Sequence, residues 1–488
     1  MSRPKKVPVS SLSPRRMPAE PPGGPLDGPA VFSPGEPHNL PALVEDARDA
    51  ALMGEPGPRE PSNYQELFSR LSAARDTLPG AYRDTFYQPL LNKLGELGAT
   101  RFAQLLQQDP RRTGVAGLLL DATHAVLQNA ERYEFLATDA FQEVVSDLFD
   151  GFLSAESRRG VSPPDLGILP PLVKWGSPDS GPYTWPVDAT SSVLGLMAGV
   201  VSLPPANAHQ GLLAWAALPH EAAGHDILDA DSGLSAELSN AVHDKLKDTY
   251  PSLATYWADR IDETAADVLG ILNMGPTSGI GLLGYFRGLN AAWGGGPVLR
   301  RDGPSDDSHP ADVLRGYLAA ATVDKLLFAN RAHWAGFIER EVDADVNGQR
   351  IVVEGVSVSR ELAKHSAGAV AEVLVTHRAA ALEGHALGQI QNWRDTDEAR
   401  VQRLARGLLH GPPGLPTDLI EGTYAAHLVA AAVVSGLTPG ADLSALQSRM
   451  LRQLKQMHDA NPVWSSLVVA YRGNAVPHRI YRPQRSAV

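Results

Sequence analysis

"ALPHEAAGHDILDAD" (residues 217–231) decides how this chain is read. It holds His220 and Glu221 side by side, and a second histidine, His225, five residues after the first. Two histidines that grip one ion from a regular helix stand four apart, so that both rings leave the same face. Five apart, they diverge by about 140°. An inserted residue, a π-bulge, returns them to a common face. Gly224, directly before His225, lowers the cost of such a distortion. Pro219, directly before His220, starts or kinks the helix at that point. The spacing therefore demands an extra-residue bulge within 220–225.

The rest of the composition narrows what such a site holds. The 488 residues include no cysteine, which removes disulfides, iron–sulfur clusters and thiolate zinc sites. Any metal is held by His, Asp and Glu, and any nucleophile is a hydroxyl or a water. The hydrophobic share of 43% is enough for a sizeable core. The formal net charge of -12 argues against a nucleic-acid partner, because phosphate contacts need a basic face. The basic N-terminus "MSRPKKVPVSSLSPRRMPAE" lacks the apolar run of a secretory signal. No apolar stretch reaches the length of a bilayer span; "AAHLVAAAVVSGL" (residues 425–437) is too short. The expectation is a soluble, cytoplasmic protein with no membrane partner.

Hydrolysis of a peptide at zinc needs three protein ligands, an open position and a general base. His220 and His225 supply two imidazoles, and Glu221 stands next to the first. The third ligand should be a carboxylate on a following helix, and "DRIDETAADVLGIL" (residues 259–272) offers Glu263. Asp267, one turn on, shares its face and can orient a ligand histidine through the other ring nitrogen. Ile261, Ala265, Val268 and Leu269 give this helix a buried side.

"HEAAGH" followed by "DETAAD" resembles the glutamate-ligand zinc metallopeptidases, the gluzincins. The inserted residue resembles the H-E-x-x-G-H motif of the dipeptidyl peptidase III family. That resemblance implies zinc as cofactor, His220, His225 and Glu263 as its ligands, Glu221 as catalytic base and Asp267 as support. "SDDSHPADVLR" (residues 305–315) is similar to the S/T-H-P-x-x-x-x-R element of the prenyl-protein endopeptidase group. By that likeness His309 faces the metal and assists the oxyanion, and Arg315 braces the site. That group has H-E-x-x-H and transmembrane helices, and this chain has neither. The resemblance therefore covers about residues 195–320 and leaves the flanking regions without a counterpart. Zinc peptidases of this kind hold substrate along an edge strand, and Gly199, Val200, Val201 and Ser202 of "MAGVVSL" are the candidate edge. The partner implied is a peptide or protein substrate.

Two other readings stand beside this one: an inactive gluzincin-derived scaffold, and a helical interaction protein in which the motif is accidental. A second metal pattern also appears. "DADVNGQRIVVE" (residues 343–354) matches a calcium loop, with Asp343, Asp345, Asn347, the Gln349 carbonyl and Glu354 as oxygens. Yet Arg350 stands at a normally apolar position, and a hairpin turning at Asn347-Gly348 explains the same residues. No glycine-rich phosphate loop and no nucleophile elbow is present.

Working outward, the expected fold is mainly α (α+β): a zincin-like core with a small edge sheet, embedded in additional helices. Fourteen of the 39 prolines fall in residues 1–61, which read as a disordered basic tail. A helical region spans 62–160, opened by the capping-box pattern Ser62–Gln65. Its clearest stripe is Phe141, Val144, Val145, Leu148, Phe149, Phe152 and Leu153. The metallopeptidase core occupies 161–340, beginning with a Pro/Gly-rich connection to about residue 190. A β-hairpin follows at 341–359, then a helical region at 360–472 and a loose tail at 473–488.

Overall fold

Helix Ile261–Met274 is buried along nearly its whole length, Asp262 and Glu263 excepted. A helix enclosed on all sides is a core element, and its neighbours explain the enclosure. It packs against helices Leu212–His220, Pro276–Ala292 and Asp312–Val323 and against the turn Glu221–His225. The computed structural model describes residues 39–464, apart from 56, 62, 154–160, 163, 165–168, 178–180, 411–422 and 462. The described residues all belong to one compact unit, Val31–Val488. The fold is mainly helical with two small three-stranded mixed sheets.

The first sheet contains β1 (Leu172–Trp175), β2 (Tyr183–Trp185) and β3 (Val200–Leu203), in the order β1-β3-β2. β1 runs parallel to β3 and β2 antiparallel to it. Two of these strands arise within the Pro/Gly-rich stretch that reads as irregular in sequence. The candidate substrate edge is corrected here. Val200, Val201 and Ser202 lie in the middle strand, hydrogen-bonded on both sides, and Gly199 leads into it. Among the described residues the edges are β1 and β2.

The second sheet, β4 (Asp302–Gly303), β5 (Ile351–Val353) and β6 (Val356–Val358), corrects the hairpin. Helix Arg331–Val346 runs through the first part of the expected hairpin, and Asn347 caps it in the left-handed conformation at φ 30°. The chain turns instead at Glu354-Gly355, between β5 and β6. The calcium loop goes with it. Asp345 accepts from Arg287 Nε at 2.8 Å and Leu299 N at 2.9 Å, while Asp343 accepts from Tyr317 Oη at 2.8 Å. Glu354 lies 3.3 Å from Arg260 Nη1. These oxygens bind protein donors on separate elements, so they do not form a cation loop.

The N-terminal boundary shifts as well. Helix Leu40–Leu52, inside the stretch read as disordered, buries Leu40, Leu43, Val44 and Ala47 against helix Pro276–Ala292. Its apolar positions follow the helical period, and their burial outweighs the proline content around them. Asp46 accepts from Gly211 N and Leu212 N at 3.1 and 2.9 Å, which ties this helix to the start of helix Leu212–His220. Helix Tyr64–Ala73 is capped by Asn63, whose side chain accepts from Glu66 N. Ser62, the N-terminal residues 1–38 and the tail at 473–488 lie outside the described residues.

Phe141, Val144, Val145, Leu148, Phe149 and Phe152 are all buried in one hydrophobic cluster. That cluster also takes in helices Ala425–Gly436 and Leu443–Ala460, so the C-terminal helices share the core rather than forming an appendage. Helix Ala425–Gly436 is buried at every position. Among the described residues no helix is long and apolar enough to cross a membrane.

Candidate metal centre

Helix Leu212–His220 passes into a π-helical turn, Glu221–His225, before α-helical geometry resumes at Asp226. This is the bulge that the five-residue spacing demands. Pro219 lies in the last turn of the first helix and has no N–H to give to it, which loosens the ladder at that point. The wider turn brings the rings of His220 and His225 edge to face, with centroids 4.7 Å apart and planes at 89°.

His220 Nε2 and His225 Nε2 then stand 3.1 Å apart. Glu263 comes from the neighbouring helix: its Oε2 is 3.3 Å from His220 Nε2, and its Oε1 is 3.6 Å from His225 Nε2. The three residues form a group able to hold a metal ion. An ion coordinated tetrahedrally at about 2.0–2.2 Å sets its donor atoms roughly 3.3–3.6 Å apart. The two Glu263 separations fall in that range and the His220–His225 separation lies just below it. Glu263 Oε2 is moreover buried without a hydrogen bond of good geometry, so the donor set fits a cation.

Behind these three side chains lies a buried charged support. Asp267, fully enclosed, has its Oδ1 2.8 Å from His220 Nδ1. With that carboxylate accepting the Nδ1 proton, Nε2 is left to face the other donors. Arg315 grips Asp267 with both prongs, Nε to Oδ2 and Nη2 to Oδ1, each at 2.8 Å. Its guanidinium stacks over the Phe286 ring at 4.5 Å and reaches Glu263 Oε2 at 3.3 Å.

The electrostatics follow from this packing. Burial opposes ionisation of Glu263, but the His220 contact and the charges of Arg315, His220 and His225 outweigh it and hold the carboxyl well below its ordinary range. Burial likewise opposes the charge on Asp267, and Arg315 and His220 overcome it, lowering its pKa. Burial disfavours the charged form of His220, yet Asp267 and Glu263 raise it to about 10. Burial and the neighbouring His220 charge push His225 down.

Glu221 is the first residue of the π-turn and is only 7% exposed. Its Oε2 accepts from Thr184 Oγ1 of β2 at 2.8 Å. His309 sits on the loop before helix Asp312–Val323, half exposed, with Nε2 3.3 Å from Glu263 Oε1. Asp307 accepts from His309 N at 2.9 Å and stands 3.1 Å from its Nδ1. That loop is pinned in turn: Arg260 donates to the carbonyls of Asp307 and Pro304, both at 3.0 Å, and Arg300 pairs with Asp307.

His220, His225, Glu263, Asp267, His309 and Arg315 thus meet in one place, while the carboxylate of Glu221, next to His220 in the chain, is held by Thr184. Gly199–Ser202 and the Asp343–Glu354 residues do not join them as ligands or as an open edge. Thr184 was not legible in the sequence, because nothing in "YTW" ties it to a glutamate 37 residues away. The alternation of strand residues across a sheet was the one available clue. A separate cavity of about 420 Å³, lined by residues such as Arg59, Arg70, His124 and Glu131, shares none of the metal-centre residues.

No protein-family model matches the chain, and neither does any curated protein or solved structure.

Proposed function

We propose that this chain is a zinc-dependent metallopeptidase in which His220, His225 and Glu263 hold the metal. The observation that supports this reading most is the mutual spacing of 3.1, 3.3 and 3.6 Å among three donor side chains. Glu221 neighbours His220 in the chain, and Thr184 holds its carboxylate. The two imidazole nitrogens of the N/N/O donor set favour zinc over calcium or magnesium, which take oxygen ligands. Bound there, zinc supplies a Lewis acid that polarises a peptide carbonyl and acidifies water.

The chain's own residues do the rest. Glu221 takes the proton from the attacking water and returns it to the departing amine nitrogen. Asp267 keeps the His220 ring in the orientation that exposes Nε2, and Arg315 keeps Asp267 ionised. His309, exposed at the rim, donates toward the carbonyl oxygen as charge develops on it. Peptides or proteins are the substrate class.

The test is elemental analysis followed by a peptide-library assay. One zinc per chain, lost in His220→Ala and in Glu263→Ala, with turnover abolished by Glu221→Gln, is the expected result. Unchanged hydrolysis in Glu221→Gln would sink the mechanism. A second reading, a metal-holding protein without turnover, is favoured by how little of Glu221 and His220 is exposed, 7% and 6%. Zinc bound at full occupancy with no cleavage of any peptide would select it.

A further inference from the structure

β2 has two faces with different tasks. Tyr183 pairs with Ser202 of β3, Thr184 with Val201 and Trp185 with Val200. Because side chains alternate along a strand, Tyr183 and Trp185 point one way and Thr184 the other. On the first side lies Asp121 of helix Val115–Glu131. Its carboxylate accepts from Lys174 Nζ at 2.5 Å, from Tyr183 Oη at 2.8 Å and from Trp185 Nε1 at 2.8 Å. Lys174 is 2% exposed, so this is a buried, charge-assisted knot tying β1 and β2 to the helix. On the opposite side Thr184 donates to Glu221 Oε2 at 2.8 Å and reaches the Glu221 carbonyl at 3.3 Å.

We propose that Thr184 is the positioning residue for Glu221, with Asp121 fixing the strand that carries it. A glutamate side chain samples staggered χ1 and χ2 rotamers, and its carboxylate turns about a broad, roughly two-fold χ3. A hydroxyl that donates to one oxygen selects one orientation and leaves the other oxygen free to accept a proton. Thr184 has its own strand locked from behind at both neighbouring positions, so its hydroxyl is a fixed point rather than a mobile one. This inference rests on the proposed role of Glu221 as base, but its core claim, that Thr184 sets the carboxylate orientation, is structural.

The experiment compares full-length wild type, Thr184→Val and Thr184→Ser by crystallography and kinetics. In Thr184→Val the Glu221 carboxylate is expected to leave its wild-type orientation, and in Thr184→Ser to keep it. In the kinetic arm Thr184→Val lowers kcat by about 10- to 100-fold, the range for groups that orient a site residue. KM and zinc content stay near wild type, and Thr184→Ser recovers most of kcat. Glu221 holding its position in Thr184→Val overturns the proposal, as does Thr184→Ser behaving like Thr184→Val. Wild-type protein that binds zinc and cleaves nothing would defeat the peptidase reading, and the crystallographic arm would still decide the claim about Thr184.

Discussion

Gly224 lies against Ala266: a β-carbon built on Gly224 would stand 2.5 Å from the Ala266 β-carbon and 2.7 Å from its α-carbon. The glycine of "HEAAGH" therefore does more than soften a turn. It lets the π-turn press onto helix Ile261–Met274, which carries Glu263 and Asp267. Gly224→Ala should destabilise the fold by about 1–3 kcal/mol through overpacking and weaken zinc binding by moving the histidines from Glu263. Adding Ala266→Gly should restore only part of the loss, since the α-carbon remains. Denaturant unfolding and zinc titration of the three variants check this. Wild-type stability in Gly224→Ala would refute the contact's importance.

Asp267 and Arg315 form a buried pair, and removing one partner strands the other. Arg315→Met should cost about 3–5 kcal/mol of stability, because Asp267 is left charged and enclosed. Asp267→Asn keeps the shape but loses the charge that orients His220, and zinc affinity should fall about 10- to 100-fold. Competition with a chelator measures the second effect. Unaltered zinc affinity in Asp267→Asn would mean that His220 needs no such support.

His309, half exposed, brings its Nε2 to 3.3 Å from Glu263 Oε1 while its Nδ1 faces Asp307. His309→Ala should retain one zinc per chain and lose turnover on the order of 100-fold, the scale for removing one donor to an oxyanion. Loss of zinc in this variant would instead make His309 a ligand.

His124 gives a pH dependence whose sign can be worked out. Burial, aided by the positive charge of Lys174, pulls its pKa from 6.5 down to about 4. The unfolded chain therefore binds a proton at higher pH than the folded one. The stability contribution is full above the unfolded value and is lost as pH falls from about 6.5 to about 4, amounting to about 3 kcal/mol. In His124→Gln the fall of unfolding free energy with acidification should be shallower over that window. Parallel pH profiles for the two proteins would show that the ring is not buried in its neutral form.

Calcium should leave the unfolding temperature unchanged, because Asp343, Asp345 and Glu354 are engaged by Tyr317, Arg287 and Arg260. A ligand that binds only the folded state raises that temperature by mass action. A rise with added calcium, measured by scanning calorimetry, would restore the loop that the sequence suggested.

By itself the sequence determined the local geometry of the candidate metal centre. The five-residue interval between His220 and His225 required a bulge, and the i, i+4 interval between Glu263 and Asp267 required one shared helix face. Both are consequences of the helical period, which spacing alone reveals. The stripe of helix Phe135–Leu153 was legible for the same reason. Tertiary structure decided everything that depends on which elements become neighbours. β3 became a middle strand because β1 and β2 formed in a stretch whose Pro and Gly content masks them. Asn347 capped helix Arg331–Val346 instead of turning a hairpin, and Asp345 on that helix met Arg287 of a distant helix. Thr184 met Glu221 only through strand register. Such partners are distant in the chain, and no local period records them.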